Sequence, residues 1–216
     1  MSTITKIEVQ KNNKDRVNIY VDEEFFAGLD LELVYTLNLS KGQTIDAERM
    51  KEIIYKDNIS KVKSKALKII NKAEQSEKTL RDKLKDYDEE IVDIVIEYLK
   101  DCKFVNDKDF AKRIASSNSN VSKFGKNKIK QNLYKKGIDR EYIDEAIDEI
   151  DEDVEFENAV YLAEKRYKSV KNDDKRKVYQ KLIQHLTYKG FSYDTSKRAI
   201  SHVLDNLDGL DEIDEF

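Results

Sequence analysis

One stretch of this 216-residue chain occurs twice in the same register, 53 residues apart. The matched segments are Gln131-Asn132-Leu133 with Gln184-His185-Leu186, Lys136-Gly137 with Lys189-Gly190, and Ala146-Ile147 with Ala199-Ile200. A weaker third copy lies upstream, where Leu80 and Leu84 precede Ile129 and Leu133 by 49 residues. A recurrence of this length predicts stacked helical modules, and such arrays usually present an extended surface to a large partner.

The composition favours long helices. Proline is absent and only 6 glycines occur, so the usual helix breakers are scarce. Hydrophobic residues make up 39% of the chain, which is enough for modules that bury one stripe per helix. We therefore predict a mainly α protein with three tandem three-helix bundles in an elongated, curved array, preceded by a small N-terminal β-hairpin and short helices.

Alternating apolar residues predict the hairpin at the start of the chain, and the cluster at 11–15 is its turn. The elements predicted for this head are strands at 5–9, 17–21 and 24–27, and two short helices at 29–37 and 46–54. In the second module, the serine- and asparagine-rich stretch 116–122 is predicted to be a loop. Gly137 and Gly190 are placed to end the second helix of their modules in a left-handed conformation.

These elements predict five segments. They are a head at 1–57, helical modules at 58–104, 105–151 and 152–207, and an acidic tail at 208–216 that we expect to be mobile.

Charge is segregated along the chain, although the net charge is only −4. Residues 123–140 carry seven cations and one acid, whereas residues 141–157 carry ten acids and no cation. Cations dominate again from 171 to 198, so two helices present basic faces that suit phosphate contact. The predicted contact set is Lys123, Lys126, Lys128, Lys130, Lys135, Lys136, Arg140, Lys175, Arg176, Lys177, Lys181 and Lys189.

Residues that could carry out chemistry are few. The only histidines, His185 and His202, have no carboxylate or cysteine at metal-ligand spacing, and no glycine-rich phosphate loop is present. The single Cys102 excludes an internal disulfide and suits a reducing compartment. We expect no enzyme activity, no cofactor and no metal. No apolar run suggests a signal peptide or a membrane span, so a soluble cytoplasmic protein is predicted.

Four motifs, in this order and spacing, resemble the bacterial RecX family. Residues 4–7 and 16–22 are similar to the N-terminal hairpin of RecX proteins from Gram-positive bacteria. Residues 76–84 resemble the family segment R-[ST]-x-x-E-L-x-x-K-L, although Gln75 and Thr79 replace its arginine and glutamate. Residues 104–111 match F-[IV]-[ND]-D-x-x-[FY]-A, and residues 124–138 match [KR]-x-G-x-x-x-I-x-x-x-L-x-x-K-G-I.

The resemblance implies a non-enzymatic regulator that binds RecA and RecA–single-stranded-DNA filaments. Such a protein lies in the filament groove and mostly inhibits strand exchange and ATP hydrolysis during DNA repair and recombination. It also implies weak, salt-dependent contact with single-stranded DNA, and it leaves open whether double-stranded DNA is bound as well. We expect a monomer without a membrane partner. Two alternatives remain, a helical-repeat scaffold that binds only proteins and a helix-turn-helix repressor acting as a dimer.

Overall fold

The computed structural model describes the backbone of residues 1–211 and the side chains of residues 1–206. In chain order the elements in this part are β1 (Ser2–Val9), β2 (Arg16–Val21), β3 (Glu24–Asp30), α1 (Leu31–Thr36), β4 (Thr44–Ile45), α2 (Ala47–Lys72), α3 (Glu77–Leu84), α4 (Glu89–Asp101), α5 (Asp107–Asn120), α6 (Lys126–Lys135), α7 (Arg140–Asp148), α8 (Glu152–Tyr167), α9 (Lys175–Lys189) and α10 (Tyr193–Asp211). The chain forms two compact units. The first unit contains Met1–Gln75 and Leu80–Val105, and the second contains Ser76–Thr79 and the chain from Asn106 onward.

The head of the first unit is an antiparallel sheet with the strand order β3-β2-β1-β4. The predicted hairpin and its third strand are confirmed, since β2 pairs with both β1 and β3. Val17, Ile19 and Val21 alternate with outward-facing residues and point into one core with Leu29 and Ile53. Strand β4 is not predicted by the sequence, because a two-residue strand has no periodicity to detect.

Helix α2 corrects the prediction that a short helix at 46–54 ends before the first module begins at residue 58. It runs unbroken from Ala47 to Lys72, so the boundary predicted at residue 57 falls inside it. Asp57 is a weak helix former, but its buried carboxylate accepts hydrogen bonds from Arg16 and from the amide of Asp30. No glycine or proline interrupts this stretch, and the tertiary hydrogen bonds of Asp57 stabilise the helix where local preference is weak.

The second half of α2 packs with α3 and α4 in the first unit. Val62 and Ala66 of α2 share a core with Leu80 and Leu99. Asp88 caps α4, accepting hydrogen bonds from the amides of the first turn at 3.0 and 3.4 Å. The pattern of apolar residues in the sequence identified these helices because each one buries a single stripe.

The second unit contains two three-helix cores, one formed by α5, α6 and α7 and the other by α8, α9 and α10. The predicted loop at 116–122 is wrong, because α5 continues to Asn120. Ala115 and Ser119 are buried on the face of α5 that also carries Ala111. The buried Asn158 donates a hydrogen bond of 3.0 Å to the carbonyl of Ser119. The serine content predicts a loop, but Ala111, Ala115 and Ser119 form the buried face of a helix.

The two predicted glycine ends are confirmed. Gly137 has φ of 75° and Gly190 has φ of 95°, in the left-handed region that favours glycine. Helix α10 extends to Asp211, past the predicted end at residue 207, so the predicted tail starts within it. The rest of that tail, residues 212–216, lies outside the described residues.

Candidate functional site in helices α6 and α9

Helices α6 and α9 contain no aspartate or glutamate, although acids and bases are almost equally common in the chain. Nine of the twelve predicted contact residues lie on these two helices. Of the others, Lys123 precedes α6, Lys136 ends it, and Arg140 begins α7. Both helices belong to the second unit, so the predicted residues are brought onto neighbouring elements.

The end of α9 meets the beginning of α6. The amide of Gly125 donates a hydrogen bond of 3.0 Å to the carbonyl of Lys189, and the amide of Asn127 donates one of 3.0 Å to the carbonyl of Gly190. These bonds satisfy amides at the start of one helix with carbonyls at the end of another. A Cβ atom at Gly125 would lie 2.5 Å from the backbone of Gly190, so the contact requires glycine. We call these four residues the α9–α6 joint.

A corresponding contact within the second unit lies between the end of α6 and Ser76–Thr79, at the start of α3, and we call it the α6–α3 joint. The hydroxyl of Ser76 donates a hydrogen bond of 2.6 Å to the carbonyl of Lys136. A Cβ atom at Gly137 would overlap the side chain of Lys78. Both copies of the duplicated Lys-Gly therefore make a contact between helix ends within the second unit.

Each joint also receives an acidic side chain from the first helix of the following module. The carboxylate of Asp107 accepts a hydrogen bond of 2.8 Å from the amide of Glu77, at the start of α3. The carboxylate of Glu155 accepts one of 2.9 Å from the amide of Lys126, at the start of α6. A negative charge at a helix N-terminus is favourable because it faces unpaired amides and the positive end of the helix dipole.

The side chains of Lys136 and Lys189 lie over aromatic rings. The Nζ atom of Lys136 is 5.5 Å from the centre of the Phe110 ring, and that of Lys189 is 5.4 Å from the centre of the Phe124 ring. Both lysines are half-buried, and their positions suit a cation–π interaction. Their repetition in the sequence favours nucleic-acid contact, whereas the structure gives both residues a packing role.

The predicted set divides evenly by exposure. The exposed members are Lys135, Arg140, Lys175, Arg176, Lys177 and Lys181, and the half-buried members are Lys123, Lys126, Lys128, Lys130, Lys136 and Lys189. The residues of the first turn of α9 lie about 20 Å from the joint at 1.5 Å per residue, so the set is spread along the helices.

Ion pairs engage part of the set. Lys130 pairs with Asp144 at 3.0 Å, and Arg140 pairs with the same carboxylate at 3.4 Å. Lys181 pairs with Asp173 at 2.6 Å. The hydrogen bond from Lys130 lowers the pKa of Asp144, and that from Lys181 lowers the pKa of Asp173. The side chains of these pairs are at least partly exposed, so a polyanion could displace either carboxylate at little cost.

The duplication contains a part that packing does not explain. Leu133 and Leu186 are both fully buried, so their repetition reflects the core. Gln131 and Gln184 are also repeated in register, yet both are exposed. Three residues before each glutamine lies a lysine, Lys128 in one copy and Lys181 in the other. Packing therefore does not account for the repetition of the two glutamines, which makes them candidates for a contact with a ligand.

Tyr188 connects the exposed faces of the two helices. It lies in the last turn of α9 and is 72% exposed, and the Nζ atom of Lys128 on α6 is 5.2 Å from its ring centre. The predicted contact set contains neither Tyr188 nor the exposed glutamines. The sequence shows that Gln131 and Gln184 are repeated in register, but only their exposure in the structure separates them from the repeated leucines.

The surface therefore offers ammonium groups, amides and a phenol ring, without carboxylates on the two helices themselves. Such groups bind phosphates, hydrogen-bond to base edges or sugars, and stack on bases. Within the described residues, no group of three or more metal-ligating side chains lies together, and no helix is long and apolar enough to span a bilayer.

Comparison with known families assigns three segments of the chain. Residues 2–46 match the Regulatory protein RecX N-terminal domain. Residues 106–147 match the second three-helix domain of RecX, and residues 153–200 match the third. Helix α6 lies in the second of these domains and α9 in the third.

Relatives of similar length cover almost the whole chain. The regulatory protein RecX of Clostridioides difficile (strain 630) is 54% identical over 212 residues, which are 98% of this chain and 100% of the relative. RecX of Clostridium tetani (strain Massachusetts / E88) is 39% identical over 208 residues, with 94% and 95% covered. A crystal structure of a regulatory protein RecX superposes with a TM-score of 0.77 at 30% identity, covering 94% of this chain and 100% of that one. RecX from Lactobacillus salivarius gives a TM-score of 0.64 at 34% identity, covering 68% and 97%.

Proposed function

Because the chain belongs to the RecX family of non-enzymatic RecA regulators, we propose that it binds RecA–single-stranded-DNA filaments through helices α6 and α9. The protein is a modulator of RecA in recombination and repair, and in this proposal its main effect is to inhibit strand exchange and ATP hydrolysis. The observation that carries the contact surface is that two helices from consecutive RecX domains, joined end to start, lack acidic residues.

In this proposal the twelve cations together form the contact set, and eight of them have one of two specific roles. The exposed members, with Gln131, Gln184 and Tyr188, contact phosphates and RecA, whereas Lys136 and Lys189 hold the joints that position them. The net charge of −4 makes free DNA a weak ligand. Because the contacts join cations to phosphates, the affinity for DNA depends strongly on salt. We propose that single-stranded DNA is the nucleic acid contacted, and that the protein acts as a cytoplasmic monomer.

The same proposal keeps the division of the chain into a head at 1–57, modules at 58–104, 105–151 and 152–207, and a tail at 208–216. Four separate groups of buried residues support the head and the three modules. Helix α2 supplies residues to two of these groups, so the head and the first module share an element.

The test is the DNA-dependent ATPase activity of the cognate RecA, measured with increasing amounts of this protein. We expect the steady-state rate on single-stranded DNA to fall, and strand exchange to slow in parallel. A control lacking DNA reports any effect on RecA alone. An unchanged rate at protein concentrations that saturate binding to the filament would contradict inhibition, and no binding to the filament at low salt would contradict the proposal as a whole.

A further inference from the structure

The second half of α2 carries a lysine stripe that the predicted contact set does not include. Residues 58–72 contain five lysines and no acid. Four of these lysines are exposed and lie at intervals of four, three and four residues, which places them on one face of the helix over about 17 Å. They are Lys61, Lys65, Lys68 and Lys72.

This stripe forms one wall of an open cleft of about 850 Å³ in the first unit. Lys61, Lys65 and Lys68 line the wall on α2. Tyr35 of α1 also lines the cleft and is 73% exposed, and Tyr87 lines it with 40% exposure. The cleft therefore combines a row of ammonium groups with two accessible aromatic rings.

Only the first lysine of the wall is neutralised by an ion pair. Lys61 lies 2.6 Å from the buried carboxylate of Asp57, whereas Lys65 and Lys68 make no ion pair among the described residues. The acids that line the cleft, Asp15, Asp30 and Glu32, lie on the head rather than on α2. The charge of the cleft is thus one-sided, so an anionic chain would lie against α2.

We propose that this wall of α2 is a second binding surface for single-stranded nucleic acid, distinct from helices α6 and α9. Lys65 and Lys68 contact successive phosphates, and Tyr35 stacks on a base. A row of cations beside an exposed aromatic ring suits a single strand, because each nucleotide presents both a phosphate and an unpaired base. An acidic peptide would use the lysines and leave the ring without a role.

The surface is tested with the full-length protein and a fluorescent oligothymidylate, without any recombinase. The anisotropy titration compares wild type with Lys65→Glu/Lys68→Glu and with the control Lys11→Glu/Lys41→Glu, which makes the same charge change at exposed positions elsewhere in the first unit. We expect Kd to rise by about tenfold for the α2 variant and much less for the control. The slope of log K against log salt should decrease in magnitude by about 1.4, because single strands contribute about 0.7 per phosphate contact.

A Tyr35→Ser variant separates stacking from charge. We expect it to weaken binding by about fivefold or more while leaving the salt slope unchanged, since the ring makes no phosphate contact. Polyglutamate of matched charge is the competing probe. If it binds as tightly as the oligonucleotide and Tyr35→Ser has no effect, the surface recognises acidic protein and the proposal is wrong.

Lysine acylation of the unaltered protein gives a second measurement that does not depend on variants. Bound oligonucleotide should protect Lys65 and Lys68 but leave Lys41 reactive. Equal reactivity with and without DNA, or equal weakening by the α2 variant and its control, would overturn the proposal. Because no RecA is present in these experiments, a failure of filament inhibition would leave this result standing.

Discussion

The amide of Gly125 donates a hydrogen bond of 3.0 Å to the carbonyl oxygen of Lys189, so that α6 begins where α9 ends. The positive end of one helix dipole thereby faces the negative end of another. The hydroxyl of Ser76 makes the corresponding bond to the carbonyl of Lys136. The Lys-Gly segment that first revealed the repeat therefore connects helix ends within the second unit, and the exposed residues beside it form the candidate contact.

The joint predicts an unequal response to two glycine substitutions. Gly190 and Gly42 both have positive φ, 95° and 85°, so alanine at either position costs about 1–2 kcal/mol of backbone strain. A Cβ atom at Gly190 would in addition overlap the backbone of Lys128, whereas one at Gly42 would meet nothing within 4 Å. We expect Gly190→Ala to lower the free energy of unfolding by roughly 2 kcal/mol more than Gly42→Ala in urea titrations. An equal decrease in the free energy of unfolding for both variants would mean that the close approach at the joint imposes no extra cost on alanine.

A third variant removes the effect of φ. Gly125 has φ of −74°, which any residue adopts, yet its added Cβ would lie 2.5 Å from Gly190. Gly125→Ala should therefore destabilise the protein through the joint alone. A loss below about 0.5 kcal/mol would show that the neighbouring backbone moves apart easily.

Sequence periodicity predicted the helices of the three modules because each buries one apolar stripe, and glycine predicted the left-handed ends at Gly137 and Gly190. Periodicity could not predict the joints, whose hydrogen bonds connect residues more than 50 positions apart. It also could not separate the repeated Gln131 and Gln184 from the repeated leucines, because burial is a property of the folded chain.

Helix α2 shows why local preferences misled the prediction. Asp57 and Asn58, which lie at the predicted boundary, are weak helix formers. The buried carboxylate of Asp57 instead accepts hydrogen bonds from Arg16 and the amide of Asp30, both distant in sequence. Tertiary pairing thus decides the local structure at this point.

Replacing the Asp57 carboxylate should be costly. Asp57 is 2% exposed, and its oxygens lie 3.3 Å from the Arg16 guanidinium and 2.6 Å from the Lys61 ammonium. Asp57→Asn leaves two cations without their partner and should lower the free energy of unfolding by about 2–4 kcal/mol. Glu97→Gln is the control, since it removes an exposed pair with Lys100 and should cost less than about 1 kcal/mol. Chemical denaturation followed by circular dichroism compares them, and similar losses would contradict a structural role for Asp57.

Charge reversal of exposed cations should weaken filament inhibition. Lys135→Glu/Arg176→Glu/Lys177→Glu changes only exposed side chains of α6 and α9, and avoids Lys136 and Lys189 at the joints. We expect the concentration for half-inhibition of the RecA ATPase to rise by about tenfold or more, with a flatter dependence on salt.

The matched control for this variant is Lys11→Glu/Lys41→Glu/Lys51→Glu, which alters the net charge equally at exposed positions of the first unit. It should shift half-inhibition by less than about threefold. If both triple variants behave alike, inhibition depends on total charge and the α6–α9 surface has no special role.

The stability of the second unit should depend on the protonation of His185. Burial chiefly lowers the pKa of His185 below its ordinary value of 6.5, and the nearby Lys189 and Arg166 lower it further. The unfolded chain therefore takes up this proton at a higher pH than the folded protein does. The contribution of neutral His185 to the free energy of unfolding is fully present above pH 6.5, the pKa in the unfolded chain. It is lost as the pH falls from that value toward the pKa in the folded protein.

His185→Asn provides the comparison, because Asn132 occupies the equivalent position of the preceding module. We expect the free energy of unfolding of wild type to decrease between pH 7.5 and about 5.5, and that of the variant to decrease less over the same range. Carboxylates such as Asp144, whose pKa is lowered by Lys130, release their contribution at lower pH and do so in both proteins. The difference between the two curves therefore isolates the imidazole, and parallel curves would show that His185 is not the group responsible.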